Sequence, residues 1–171
     1  MDFIFGTPLW KLDSNSFDEK KITEEIFNAQ RSDPKGISLS NVGGYHSGSD
    51  FSTPLVDEYI KGRLEGEGGL DFPHKVTGRW VNINKKGDSN RPHNHGVMGL
   101  SGVLFVTEAP ELVLYNPAKE CLLKLDLPSS HIINGKSGEI VVFPSTILHW
   151  VEPSKSDDPR ITVAFNIRVN I

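Results

Sequence analysis

The sequence predicts a mainly β protein, with an antiparallel barrel or sandwich in its C-terminal part and a helical and looped cover before it. Three observations carry this. Helix caps and helix-period apolar residues are confined to the chain before Gly66. From Val76 onward the apolar period drops to roughly two, in short runs separated by Gly, Pro, Asn and Ser clusters. The final stretch, RITVAFNIRVNI, alternates from end to end. With 171 residues the chain suits one domain, divided into a cover over 1–70 and a β core over 71–171.

Taking the elements in order, Ser16 and Glu19 have capping-box spacing, and Ile22, Ile26 and Phe27 then share a face, which predicts a helix over 17–30. The segment SDPKGISLSNVGGYHSGSD reads as turns and loop. Its Gly43-Gly44 pair and Ser47 to Ser49 suggest a lid over the barrel mouth. A second helix begins at Thr53-Pro54, carries Val56, Tyr59, Ile60 and Arg63 or Leu64 at helical steps, and ends at glycines 66, 68 and 69. Strands are expected near 76–84, 97–106, 111–115, 122–126, 139–143, 147–152 and 160–170.

In the last strand Ile161, Val163, Phe165, Ile167, Val169 and Ile171 point one way, and Arg160, Thr162, Ala164, Asn166, Arg168 and Asn170 the other. The apolar face must be covered, and the helices are the available cover. A polar face on such a strand is ordinarily solvated. Here a second strand repeats the pattern, with Arg79, Val81 and Ile83 alternating with Trp80, Asn82 and Asn84. Two such strands in a closing barrel would line a polar cavity.

Composition narrows the function classes. Eighteen basic against 22 acidic residues give a net charge of -4, and no Lys/Arg run is present, so binding to a nucleic-acid backbone is not expected. No apolar stretch reaches the roughly 18 to 20 residues of a membrane span, and MDFIFGTPLWKLD lacks the features of a secretory signal. The expectation is a soluble, cytoplasmic protein with no membrane partner. One cysteine, Cys121, excludes an internal disulfide framework and a Cys-rich zinc site. Metal chemistry would therefore use His and carboxylates.

His93, Asn94 and His95 follow the turn-rich KKGDSNRP, so two imidazoles project near the start of a strand. An H-x-H pair is a chelate candidate because alternate strand residues share a face, although isolated pairs are more often simply hydrogen-bonded. His149 lies in the apolar IVVFPSTILHWV, where a bare imidazole would be costly to bury and needs a metal or a hydrogen-bond partner. Arg160 opens the last strand, with Thr162 on the same face. A guanidinium beside a hydroxyl inside a barrel suits bidentate grip of a carboxylate; the ordinary alternative is a surface pair with Asp157 or Asp158. His46, His74 and His131 are read as ordinary loop or surface histidines. Trp80, Phe105, Tyr115, Phe143 and Trp150 are read as core or pocket wall.

The order of these features resembles the Fe(II)/2-oxoglutarate-dependent oxygenases: H-x-(Asp or Glu), a distal His after an apolar strand, then Arg with Ser or Thr two residues on. The chain is most similar to a small group of 2-oxoglutarate/Fe(II) oxygenases of phages and bacteria. FGTPLW, SNVGGYHS, WVNIN, PHNHG, LSGVLFV, GEIVVFPSTILHWVEPS and RITVAFN carry the resemblance, the last two most specifically. It implies a double-stranded β-helix (jelly-roll, cupin-like) fold with N-terminal helices packed on one sheet. It makes His93 and His149 iron ligands, Arg160 the anchor of the 2-oxoglutarate distal carboxylate with Thr162 assisting, and Asn82 a further co-substrate contact. His95 stands where the superfamily has a carboxylate, so the resemblance implies three-histidine ligation, with Asp88 or a vacant position as the alternative.

The implied cofactors are Fe(II), 2-oxoglutarate and O₂. The implied reaction couples decarboxylation of 2-oxoglutarate to succinate and CO₂ with hydroxylation of a C–H bond. Two other classes stay open at this level: a three-histidine cupin that does not use 2-oxoglutarate, and a non-catalytic jelly-roll binding module. The substrate, small-molecule or peptidyl, and the oligomeric state, a homodimer included, are open too. A phage-encoded protein of this kind would act in the host cytoplasm.

Overall fold

The computed structural model describes residues 6–97, 99–118 and 128–170. A short strand β1 (Trp10–Leu12) precedes helix α1 (Glu19–Ser32), and strands β2 (Asn41–Val42) and β3 (Tyr45–His46) precede helix α2 (Pro54–Glu65). The rest is β: β4 (His74–Asn84), β5 (Ser89–His93), β6 (Leu100–Phe105), β7 (Ala109–Tyr115), β8 (Ser130–Gly135), β9 (Ile140–Pro144), β10 (His149–Val151) and β11 (Arg160–Val169). The strands form two antiparallel sheets, a six-stranded one ordered β1-β9-β6-β11-β4-β3 and a five-stranded one ordered β2-β5-β10-β7-β8. This is the expected double-stranded β-helix, with both helices packed on the outer face of the larger sheet. The expected strand at 122–126, and Cys121 beside it, lie outside the described residues.

The period of two in β11 organises the larger sheet. Ile161, Val163, Phe165 and Ile167 are all buried against Ile22 and Ile26 of α1 and Val56, Ile60 and Leu64 of α2. The helices present these residues at i, i+4 and i+8 steps, so each contributes one apolar stripe to the sheet. Arg79, on the same outer side of β4, pairs with Asp57 of α2 at 3.0 Å and ties helix to strand. Phe165 lies opposite Gly102 of β6, and a Cβ there would meet its ring at 2.2 Å; only glycine leaves the space the ring occupies. A second cluster, including Phe105, Leu112, Ile133 and Phe143, fills part of the interior between the sheets.

Several local expectations are corrected. Helix α1 starts two residues later than 17, because Asp18 rather than Ser16 is its N-cap: the Asp18 carboxylate accepts from the Lys21 N–H at 3.1 Å. Ser16 has a left-handed backbone (φ 54°) and bonds its neighbour Asn15 instead. The 1–70 segment is not only helix and loop. It lends β1 to β9, β2 to β5 and β3 to β4, so it adds strands to both sheets. Gly43 and Gly44, both with positive φ (70° and 62°), make the tight turn between β2 and β3 and sit against Asp88 and Asn84. Ser47 is stitched to β4, its N–H donating to the Val81 carbonyl and its hydroxyl accepting from the Val81 N–H, so this segment is a fixed rim. The turn-rich KKGDSNRP contains strand β5, whose partners β2 and β10 supply the pairing that its composition does not advertise.

Since Phe165 is fully buried where helices and sheet meet, Phe165→Ala should destabilise the protein by about 3–5 kcal/mol, the usual range for deleting a core aromatic. Denaturant unfolding of the two proteins side by side measures this, and a loss below about 1 kcal/mol would show that the helices do not depend on this contact.

Candidate metal and co-substrate site

Three of the six histidines converge between the sheets. His93 ends β5 and His149 begins β10, and the two are direct cross-strand partners with ring centroids 4.4 Å apart. His95 lies beyond β5, in a loop rather than on the strand, so the alternation argument for the H-x-H pair does not hold as expected. Its place is set by tertiary hydrogen bonds. The His95 N–H donates to the Ser145 carbonyl at 2.9 Å, and the Ser145 hydroxyl and N–H reach the Gly96 and Gly99 carbonyls. The fully buried Ser145 thus fastens the loop carrying His95 to the turn that leads into His149. Each of the three imidazoles offers a ring nitrogen, and these nitrogens lie within 4.8 Å of one another.

The second ring nitrogens are all engaged. His93 Nδ1 donates to the Arg91 carbonyl (2.7 Å) and His149 Nδ1 to the Ile147 carbonyl (2.9 Å); a carbonyl only accepts, so the proton is on Nδ1. His95 Nδ1 lies 2.7 Å from Asn166 Oδ1 and 2.9 Å from Ser101 Oγ. The Nε2 lone pairs are left to face the shared space. Burial holds His149 well below the ordinary histidine range, to about 4, and lowers His95 as well, against the opposing hydrogen bond that His95 donates to Asn166. Neutral imidazoles, each oriented through Nδ1 by a protein acceptor, are what a first-row divalent ion requires of its ligands. The donor set therefore fits Fe(II). Asp88 is not part of it: its carboxylate accepts from the Lys85 N–H in a turn and packs against Gly43 and Gly44.

Arg160 stands at the far end of the inner chamber, which also receives Asn82 and Thr162. It is 5% exposed and pairs with neither Asp157 nor Asp158. Its guanidinium donates to the Glu152 carbonyl at 3.1 Å and the Asp88 carbonyl at 3.4 Å, and it has no ion pair among the described residues. Burial lowers its pKa from the ordinary value, yet a guanidinium stays charged at neutral pH. Thr162 pairs across the sheet with Asn82. A ladder of amides fixes Asn82: Asn84 donates to Asn90 (3.1 Å), and Asn90 donates to Asn82 Oδ1 (3.3 Å). That leaves the Asn82 NH₂ directed at the chamber. Trp80, Phe105 and Phe143 form chamber walls, as expected of them, whereas Trp150 lies on the other side of the smaller sheet.

Some residues of the site escaped the sequence reading. His46 is buried beside Trp80 rather than an ordinary loop residue, because β3 carries it onto the edge of β4; its stretch, GGYHS, was the only sequence signal. Ser101, Asn90 and Asn166 act through other side chains, and such roles have no signature in sequence. His74 Nδ1 donates to the Phe72 carbonyl at the start of β4, and His131 is exposed, as expected.

Residues 78–166, just over half of the chain, match the sequence model of the family described as "Putative 2OG-Fe(II) oxygenase". That span contains His93, His95, His149, Arg160, Thr162 and Asn82. Comparison with the curated proteins gave no match. Among solved structures, the chain is similar to HygX from Streptomyces hygroscopicus with nickel and 2-oxoglutarate bound, at 10% identity and a TM-score of 0.66, covering 96% of this chain and 84% of that one. It is also similar to a Pseudomonas putida prolyl-4-hydroxylase, at 15% identity and TM-score 0.64, covering 95% and 93%. A third is SnoK, a non-heme α-ketoglutarate-dependent carbocyclase from nogalamycin biosynthesis, at 9% identity and TM-score 0.69, covering 94% and 79%. At such low identity these neighbours establish the fold. With the family match over the β core, they show that the chain belongs to the 2-oxoglutarate/Fe(II) oxygenases, enzymes whose cofactors are Fe(II), 2-oxoglutarate and O₂.

Proposed function

We propose that the protein is a hydroxylase in which His93, His95 and His149 hold Fe(II) and Arg160, with Thr162 and Asn82, holds 2-oxoglutarate. The observation that carries this reading is Arg160: a buried guanidinium with only backbone partners, in the same chamber as three convergent imidazoles. A cation kept from water without a carboxylate partner is costly, and a bound dicarboxylate would compensate it. A three-histidine cupin that does without 2-oxoglutarate would have no use for that arrangement.

In this reading Fe(II) with 2-oxoglutarate and O₂ supplies the oxidising chemistry, one oxygen atom going to succinate and the other to the substrate carbon. The chain's own residues bind, orient and shield. Arg160 forms a charge-assisted fork with the distal carboxylate, the Thr162 hydroxyl and the Asn82 NH₂ donate to it, and the Nδ1 bonds hold the three imidazoles in one tautomer. The chamber around Arg160 is narrow, which excludes a bulky ligand. The apolar walls from Phe105, Leu112 and Phe143 keep bulk water from the reacting groups. That one neighbour is a prolyl-4-hydroxylase supports hydroxylation as the outcome. The single cysteine is in keeping with a cytoplasmic setting.

Anaerobic titration of the apoprotein with Fe(II) and then 2-oxoglutarate should produce a weak visible charge-transfer band, and admission of air should yield succinate. Stoichiometric iron binding with neither band nor succinate would favour the cupin class. Arg160→Ala should weaken 2-oxoglutarate by tens to thousands of fold, on the order of 2–5 kcal/mol, and Fe(II) far less. An unchanged 2-oxoglutarate affinity in the folded variant would remove Arg160 from the site.

The metal-free protein should lose stability as pH falls from about 6.5 to about 4. In that window the unfolded chain takes up a proton at His149 that the folded protein refuses, so the unfolded state binds more protons and gains. The loss from this residue is on the order of 3 kcal/mol at the bottom of the window. Denaturation midpoints at pH 7 and pH 5 measure it, and His149→Gln should flatten the dependence; an equally steep slope in the variant would show that His149 is not its source.

A further inference from the structure

Outside the inner chamber lies a wider cleft of about 660 Å³ that shares His93, His95 and Trp80 with it. Three features of this cleft are unused by the chemistry above. His46 is 3% exposed, its Nδ1 donates to the Ser47 carbonyl at 2.6 Å, and its Nε2 has no partner among the described residues. It is held rigidly: its ring lies parallel to Trp80, and its backbone carbonyl accepts from the Ile37 N–H. An acceptor held this rigidly on the cleft lining, with no protein partner among the described residues, is placed to take a donor from a ligand. Second, the side chain of Arg91 lines the same cleft, with no ion-pair or hydrogen-bond partner among the described residues. Third, among the described residues no Asp or Glu lines either space, although the chain carries 22 acidic residues.

The electrostatic consequence rests on the proposed function above. Three neutral imidazoles leave Fe(II) its full double charge, and Arg160 and Arg91 add two more, of which the 2-oxoglutarate dianion compensates half. Asp88 and Glu111 act on Arg160 from outside the chamber lining, but no carboxylate among the described residues lines the outer cleft, so the space beside the metal keeps an excess of positive charge. In such a space anions are enriched and cations are excluded. A single guanidinium fork matches a carboxylate one to one. Phosphate sites ordinarily add a helix N-terminus or a nest of backbone N–H groups, and both helices here lie on the outer face of the larger sheet.

We propose that the outer cleft binds a small substrate bearing a carboxylate and a hydroxyl or amine donor, with Arg91 taking the carboxylate and His46 Nε2 accepting from the donor. Trp80, beside His46 and within ring contact of His95 (centroids 5.2 Å), is the surface on which the intervening carbons lie on their way to the metal. His46 and Arg91 are substrate-binding residues in this account and contribute nothing to holding 2-oxoglutarate.

The test uses the full chain loaded with Zn(II), which does not react with O₂, and saturated with 2-oxoglutarate, with ligand binding read by saturation-transfer NMR. The probes are the L-amino acids, the corresponding 2-hydroxy acids, and the carboxamides of both. The expected result is binding confined to the carboxylates, each at least tenfold tighter than its carboxamide. Arg91→Gln, a change at the exposed rim that leaves folding intact, should weaken the best carboxylate at least tenfold more than it weakens 2-oxoglutarate. His46→Phe, which keeps a ring beside Trp80, should weaken a donor-bearing ligand but not its analogue lacking the donor. Preference for a neutral or cationic probe, equal loss of both ligands in Arg91→Gln, or no bound probe in a protein that binds 2-oxoglutarate would overturn the proposal. Failure of the wild-type protein to bind 2-oxoglutarate would instead overturn the functional reading on which it rests.

Discussion

Strand β11 has to meet two environments at once, and its period of two is what allows it. One face closes the core under α1 and α2 through Ile161, Val163, Phe165 and Ile167; the other carries Arg160, Thr162, Ala164 and Asn166 toward the space between the sheets. A shift of one residue in its pairing with β4 would send Arg160 into the apolar layer and Phe165 into the chamber, so the burial of the outer face holds the register of the inner one. The end of the chamber proposed to hold the co-substrate is thus positioned by the hydrophobic effect acting on residues outside it. Register is further locked on both sides, since β11 pairs with β4 along its length and with β6 from Thr162 to Ile167.

The candidate metal end is built differently. His93 and His149 face each other because β5 and β10 pair, and that pairing is short and irregular, with a register shift between His149 and Val151. Short strands fix direction poorly, and hydrogen bonds do the rest. Ser145 joins the His95 loop to the turn before His149, and Asn166 of β11 holds His95 Nδ1. Asn166 therefore connects the two ends of the site: it rides on the same inner face as Arg160 and Thr162. An imidazole proposed as ligand in place of a carboxylate also needs different surroundings, since the neutral ring requires an acceptor for its second nitrogen and the polar face of β11 provides one to His95.

Charge then divides the space in two. The inner chamber is narrow, mostly apolar, and receives one buried guanidinium, which suits the small diacid proposed for it. The outer cleft is wide, ringed by polar groups, and open on the side of the β2–β3 segment. Because that segment is hydrogen-bonded to β4 and β5 and turns tightly at Gly43-Gly44, it forms a rigid rim that presents Ser40, His46 and Ser49. The selectivity proposed for the mouth would rest on the fixed His46 nitrogen and on the Arg91 side chain at the rim.

Much of this was legible in the chain itself, and for a definite reason. Periodicity is a local property, so the alternation of RITVAFNIRVNI and of the 79–84 stretch disclosed two long strands, their covered face and their polar face before any fold was known. Proline at the start of α2 and the glycines after it marked that helix equally well. The chemistry-bearing types, three histidines and an arginine with a threonine two residues on, were visible through their order along the chain. What the tertiary structure decided is whatever depends on partners distant in sequence. The two-residue strands β2 and β3 exist only because β5 and β4 present free edges. Ser16 yields the helix cap to Asp18 because its backbone is turned the wrong way. His95 joins the other two histidines through Ser145, 50 residues on, rather than through strand alternation. His46 becomes a rigidly held acceptor on the cleft lining only when β3 lies against Asn82 and its ring reaches Trp80. Pairing, burial and the satisfaction of buried polar groups are properties of the assembled sheets, and sequence alone carries them only where a repeating pattern encodes them.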